Sequence, residues 1–189
     1  MSDAQSVTSI QAVRVTVDDL TGAPIRDLLT GHHTEMAANS PACSMHALDL
    51  TALRDPAVTV WSAWAGDDLA GCGALKELDP RHGEIKSMRT ADGFTGRGVA
   101  ATVLNHLVDE ARRRGYTRLS LETGSHEYFA PARRLYLRHG FTECEPFADY
   151  VLDPYSQFFT LALARGSAQC AGEALDQVCD LGVGHHERR

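Results

Sequence analysis

The chain has no apolar run approaching the ~20 residues that a bilayer-spanning helix requires. It also has no excess of basic residues. Its formal net charge is −7 at pH 7, whereas a nucleic-acid partner needs a basic stripe to neutralise phosphates. Regular cysteine spacing is missing too: Cys43, Cys72, Cys144, Cys170 and Cys179 are odd in number and include no C-x-x-C pair. They read as reduced thiols rather than a disulfide frame. Met1 to Ser9 is polar and lacks the basic–apolar–small pattern of an export signal. No internal repeat is visible. Together these absences argue against membrane and nucleic-acid partners and point to the cytoplasm.

A length of 189 residues, with 43% hydrophobic and 23% charged, suits one globular domain. We place that domain at residues 10–165, after a flexible N-terminus at 1–9. After Arg165 the aliphatic content falls, so 166–189 reads as a mobile tail. His185 and His186 with Cys170 and Cys179 fit no zinc spacing, and no metal is expected. Arg112-Arg113-Arg114, the densest basic cluster, closes a helix before Gly115 and reads as a solvated helix end.

Gln11 to Val17 alternates as a strand does, and Asp18 and Asp19 offer a cap for a helix over Thr21 to Asn39. Ser44 to Arg54 is a second short helix or structured turn. Val58 to Ala65 and Leu69 to Leu78 form a hairpin through Gly66-Asp67-Asp68, followed by a strand from Glu84 to Thr90. Val99, Ala100, Val103, Leu104, Leu107, Val108 and Ala111 make the stripe of a helix from Gly98 to Arg114. Arg118 to Thr123 is a strand parallel to Glu84–Thr90, because a helical crossover joins them. Pro131 and Gly140 bound the last helix, and Phe141 to Pro146 and Gln157 to Leu163 are terminal strands.

The chemistry concentrates between Met88 and Leu104. There a strand ends, and a glycine-spaced turn, Gly96-Arg97-Gly98-Val99-Ala100, opens a helix whose first N–H groups have no intrahelical acceptor. The helix dipole favours negative charge at that end, so the turn is suited to phosphate oxygens. Gly96-x-Gly98-x-x-Ala101 with Glu122 about 20 residues on also fits a dinucleotide fingerprint, which would make Glu122 a ribose ligand. Against that, Ala91 to Thr95 separate the strand from the turn, and too few elements follow for a doubly wound sheet.

Thr95-Gly96-Arg97-Gly98-Val99-Ala100 also resembles the Q/R-x-x-G-x-G/A signature of the GNAT superfamily of N-acetyltransferases, with Thr95 replacing Gln or Arg. Ala132-Arg-Arg-Leu-Tyr-Leu-Arg-His-Gly-Phe141 resembles the second hallmark of that family, A-x-x-L-Y-x-x-x-G-F. From about Val13 to Leu163 the chain is similar to the bacterial YsnE-like branch, notably at Gly83–Thr90, Leu119–Gly124 and Asp153–Ser156. The resemblance implies an α/β (α+β) fold: a mixed, mostly antiparallel sheet with a splayed parallel strand pair, flanked by helices. It implies acetyl-CoA as cosubstrate, without a metal. The implied activity is acetyl transfer to a primary amine of a small molecule or amino acid, by direct attack in a ternary complex. Acetylation of a protein amine and a non-catalytic acetyl-CoA-binding module are the alternatives. A homodimer is left open.

On that resemblance, Met88, Arg89 and Thr90 offer strand backbone to the cofactor, and Thr95, Gly96, Arg97, Gly98, Val99, Ala100 and Ala101 hold its pyrophosphate. Arg97 reads equally as an exposed turn residue. Amine attack needs a base, because an alkyl ammonium has a pKa of about 10.4. Glu84 is the first candidate, placed by strand alternation on the same face as Met88. Glu122 and His46 are the others. Tyr136 is implied as the acid that protonates the thiolate. Phe129 stands where the family often has an Asn that contacts the pantetheine. The acceptor pocket is expected around Met36, Ser40, His46, Tyr150, Tyr155 and Phe158, with Glu122 nearby. Cys72 and Cys144 lie in strand-like runs without a His partner and read as core thiols.

Overall fold

The computed structural model describes residues 12–41 and 46–164. The N-terminus at 1–9, the tail at 166–189 and Cys43 lie outside the described residues, as do Cys170, Cys179, His185 and His186. In chain order the elements are β1 (Val13–Asp18), α1 (Ala23–Asn39), β2 (Val58–Ala65), β3 (Asp68–Asp79), β4 (His82–Thr90), α2 (Val99–Arg113), β5 (Arg118–Gly124), α3 (Ala130–Arg138), β6 (Thr142–Glu143) and β7 (Ser156–Ala162). Short 3-10 turns at Ala52–Arg54 and Glu127–Phe129 complete them. Among the described residues no helix is long and apolar enough to cross a membrane.

The strands form one seven-stranded sheet in the order β1-β2-β3-β4-β5-β7-β6. Every neighbouring pair is antiparallel except β4–β5. The parallel pair follows from the α2 crossover, and a single such pair excludes the doubly wound sheet of a dinucleotide-binding fold. Gly66, at φ 63° in the first central position of a two-residue turn, lets β2 and β3 pair up to Ala65↔Asp68.

Two expected elements are shorter than the sequence pattern suggests. Between residues 46 and 54 only Ala52–Arg54 is helical; the Asp49 carboxylate accepts from the N–H groups of Thr51 and Ala52, a turn that competes with helix. The strand expected over Phe141–Pro146 pairs as a strand only at Thr142–Glu143. Pro146 has no N–H to extend that ladder.

A core lies on each side of the sheet. Val99, Val103, Leu104 and Leu107 of α2 pack with Trp61, Leu75, Ile85, Leu119 and Phe159 on one face. Ile25 and Leu29 of α1 pack with Leu53, Val60, Cys72 and Ala74 on the other. Gly73 permits the close approach of α2, since a Cβ there would press on Val103, Leu107 and the Met88 sulfur. The arginine run that closes α2 is not merely solvated. Arg114 bonds Glu110 at 2.7 Å and Thr59 at 2.9 Å, and its guanidinium lies over the Trp61 ring. It therefore fastens the helix end to β2.

Two irregularities of β4 shape the site. Pairing with β5 runs from His82↔Arg118 to Ile85↔Leu121 and stops, although β4 continues to Thr90 and β5 to Gly124. The sheet thus forks at its centre. Opposite β3, the register passes from Ala74↔Lys86 to Cys72↔Arg89, so β4 carries one extra residue. Ser87 takes it up at φ 51°, its carbonyl accepting from the Cys72 thiol at 3.5 Å. Such a bulge reverses the alternation beyond it.

Candidate active site

A cleft of about 740 Å³ opens at the fork. Its floor is β4 from Ile85 to Thr90 together with Glu122, Thr123 and Gly124 of β5. The phosphate-type turn closes one end, His32, Met36, Ser40 and His46 form one wall, and Tyr128 to Arg138 contribute the other.

At the turn, Gly96 (φ 76°) and Gly98 (φ 83°) hold the left-handed conformation that glycine favours. A Cβ built on either would meet nothing within 4 Å, so the surface is open to a ligand. Gly98 caps α2 without any side-chain hydrogen bond. The first bond into the helix is Thr102 N–H to Gly98 O at 3.0 Å, which leaves the N–H groups of Val99, Ala100 and Ala101 ahead of it. Uncapped donors at the positive end of a 15-residue helix fit a pyrophosphate. Thr95, Gly96, Gly98, Val99, Ala100 and Ala101 line the cleft, as do Met88, Arg89 and Thr90. Arg97 does not line it; its guanidinium lies over the Phe94 ring.

Tyr136 reaches the cleft from α3, its ring buried against Phe141 and Phe159. Burial, with the Glu122 carboxylate adding to it, pushes the phenol well above its ordinary value, so it stays protonated. Glu122 lines the same cleft just past the last β4–β5 pair. Burial raises its carboxyl above the usual range, while Ser156, Lys86 and His46 act in the opposite direction. A phenol and a half-buried carboxyl with shifted pKa values thus face one cavity.

Glu84 stands elsewhere. The bulge at Ser87 puts Met88 on the α2 face, beside Gly73, Val103 and Leu107, and Glu84 on the α1 face. The two do not share a face, because simple alternation fails across the extra residue. The Glu84 carboxylate, 2% exposed, accepts from Lys86 Nζ at 3.1 Å and from the Tyr150 hydroxyl at 2.6 Å, and it does not line the cleft. Tyr150 also accepts from Lys86 at 2.7 Å and stands behind the lining, with His46 edge-on to its ring. Of the other expected acceptor residues, Met36, Ser40 and His46 line the cleft. Phe158 is buried under Tyr150, and Tyr155 is exposed on the surface.

Several residues at the cleft escaped the sequence reading. Glu35 of α1 receives both Nη groups of Arg89, at 2.6 and 2.7 Å, and the Tyr128 hydroxyl at 2.7 Å. The Tyr128 bond and then Arg89 hold Glu35 below the usual carboxylate range. This carboxylate links β4 to the segment after β5 where the strands no longer pair. His32 is pushed down to about 4, mainly by burial and then by Arg89, so it is neutral at pH 7. Lys86 had a readable signal: it follows Glu84 by two residues, the strand period that puts both on one face.

Burial raises the Cys72 thiol to about 12, so it carries no thiolate at neutral pH. Among the described residues no group of His, Cys, Asp or Glu is placed to hold a metal ion.

Comparison with known proteins agrees with this geometry. Residues 25–141 match the model of the Acetyltransferase (GNAT) family. The uncharacterized N-acetyltransferase YsnE of Bacillus subtilis is 57% identical over 151 residues, 80% of this chain and 100% of that protein. A candidate acyl-CoA N-acyltransferase structure from Klebsiella pneumoniae superposes with a TM-score of 0.69 at 26% identity, covering 82% of this chain and 99% of that one. A GNAT family acetyltransferase of Elizabethkingia anophelis, solved with acetyl-CoA bound, shares the fold at TM-score 0.58 and 20% identity, covering 80% and 98%. An uncapped helix turn at a forked parallel pair, with these matches, places the chain in the GNAT family of acetyltransferases, as an acyltransferase that uses acetyl-CoA.

Proposed function

We propose that the cleft transfers acetyl to the primary amine of a small molecule or amino acid by direct attack in a ternary complex. The observation that carries this reading is that Glu122 and Tyr136 line one cavity with the phosphate-type turn. Bound acetyl-CoA supplies the thioester carbonyl that the amine attacks and the thiolate that departs. The N–H groups ahead of Thr102 hold its phosphates, and the unpaired edge of β4 past Ile85 offers backbone to its arm.

Glu122 takes the amine proton, the role first expected of Glu84. A carboxyl raised by burial is a better match for an ammonium proton than an ordinary one. Tyr136 gives its proton to the departing sulfur and is held in that state by its surroundings. Glu84 acts through Lys86 and Tyr150 as a positioning residue. A covalent acetyl-cysteine route is disfavoured because Cys72 is buried and protonated. The free thiols Cys72 and Cys144 also support a cytoplasmic location.

The test is thiol release from acetyl-CoA across a panel of amines, followed by initial-rate kinetics. Direct attack predicts lines that intersect when both substrates are varied. Parallel lines would mean a covalent acetyl-enzyme, and release with protein amines alone would move the acceptor to a polypeptide.

A further inference from the structure

The acceptor end of the cleft holds a buried pair of opposite charges, Lys86 and Glu84, neither of which gives or takes a proton in the proposed transfer. Lys86 is 9% exposed and lines the cleft floor. Its ammonium has three donors, and two of them go to Glu84 and Tyr150. Burying a lysine beside a carboxylate costs desolvation that the pair itself rarely recovers. Such a pair at a reaction site therefore needs a reason other than stability.

Its position supplies one. Ile85↔Leu121 is the last pair of the parallel ladder, so Lys86 and Glu122 are the first residues on either side of the fork. Ile85 and Leu121 turn into the core under α2, which sends their successors to the opposite face. There Lys86 meets Tyr150, and Phe158, the strand partner of Glu122, packs on the same Tyr150 ring. Lys86, His46 and Glu84 are the charges that act on Glu122. Adjacent strands lie about 4.8 Å apart where they pair, and the two side chains stand on either side of the opening where that pairing ends.

We infer that Lys86 and Glu122 together select an acceptor carrying a carboxylate next to its amine, an α-amino acid or a close analogue. The remaining donor of Lys86 takes the carboxylate while Glu122 faces the amine. An amine without the carboxylate leaves that buried N–H donor without its partner, and sites built to bond a group reject analogues that lack it. This rests on the small-molecule reading of the cleft given above.

The experiment measures thiol release for L-amino acids beside their own amides and decarboxylated amines, at saturating acetyl-CoA. The best amino acid should exceed its amide and its amine in kcat/KM by at least about tenfold. Lys86→Gln, which keeps a donor for Glu84 but loses the charge, should shrink that ratio several-fold through KM, with acetyl-CoA affinity unchanged. Lys86→Arg should keep most of the preference. Equal or better rates with the decarboxylated amines in the wild-type protein would overturn the inference, whether or not the variants fold. An equal loss for all three acceptor types in Lys86→Gln would do so as well. Bound acetyl-CoA with no thiol release from any amine would instead overturn the small-molecule reading, and this inference with it.

Discussion

Glu122 and Tyr136 sit at the same cavity with their proton affinities displaced by burial, and their variants should separate two roles. In Glu122→Gln, turnover should fall by about 10²-fold, the scale of a positioned base, while acetyl-CoA affinity holds. A raised carboxyl keeps its proton to higher pH, so the wild-type rate should climb as pH rises through an apparent pKa above the ordinary ~4.3 of Glu. A pH profile of kcat/KM checks this: Glu122→Gln should lose that rising limb, whereas Glu84→Gln should retain it at a lower plateau. An unchanged limb in Glu122→Gln would shift the base to His46. Tyr136→Phe removes only a hydroxyl; it should slow transfer by about 10²–10⁴-fold and leave the melting temperature close to wild type. Stopped-flow single turnovers would read that loss directly.

At the scale of elements, β4 and β5 carry the site because they stop cooperating. The bulge at Ser87 turns Met88 toward α2 and returns Arg89 to the α1 side, where Glu35 receives it. Beyond the fork, Glu35 and Tyr128 supply side-chain bonds in place of backbone ones. The end of β5 is set by packing: the Phe129 ring lies against the Cα of Gly124, and a Cβ there would overlap it. This accounts for a phenylalanine where a resembling chain would offer an asparagine. Gly124→Ala should destabilise the fold by about 2 kcal/mol, the usual cost of overpacking. Phe129→Leu in the same chain should recover part of it, and denaturant unfolding of the two single variants and the pair would measure the coupling.

Those element-level details mark where the sequence stops being informative. Val58–Ala65 was readable as a strand from an apolar run closed by the Gly66 turn, and α2 from the period of 3.6 that packing one helix face on a sheet imposes. Glycine spacing exposed the turn, since only a left-handed backbone needs it at Gly96 and Gly98. The bulge had no such signature: Ser87 is an ordinary residue, and nothing local announces φ 51°. Alternation through it therefore put Glu84 on the face of Met88, from which the extra residue separates it. Glu35 and Tyr128 are 93 positions apart, and no local pattern joins residues at that separation.

For the molecule as a whole, a core on each face holds the forked sheet, and α2 both packs on it and presents its N-terminus to the cleft. The proposed reaction requires acetyl-CoA to bind through that N-terminus. Calorimetric titration of acetyl-CoA into the wild-type protein, Gly98→Ala and Gly98→Asp tests it most directly. The alanine reports the strain of a side chain at φ 83°, where space is open, and the aspartate adds a negative charge at the phosphate site. The wild type should bind with micromolar affinity, Gly98→Ala should show a modest loss, and Gly98→Asp a further loss of over tenfold, above about 1.4 kcal/mol. A folded Gly98→Asp protein that binds acetyl-CoA as tightly as Gly98→Ala would contradict that requirement.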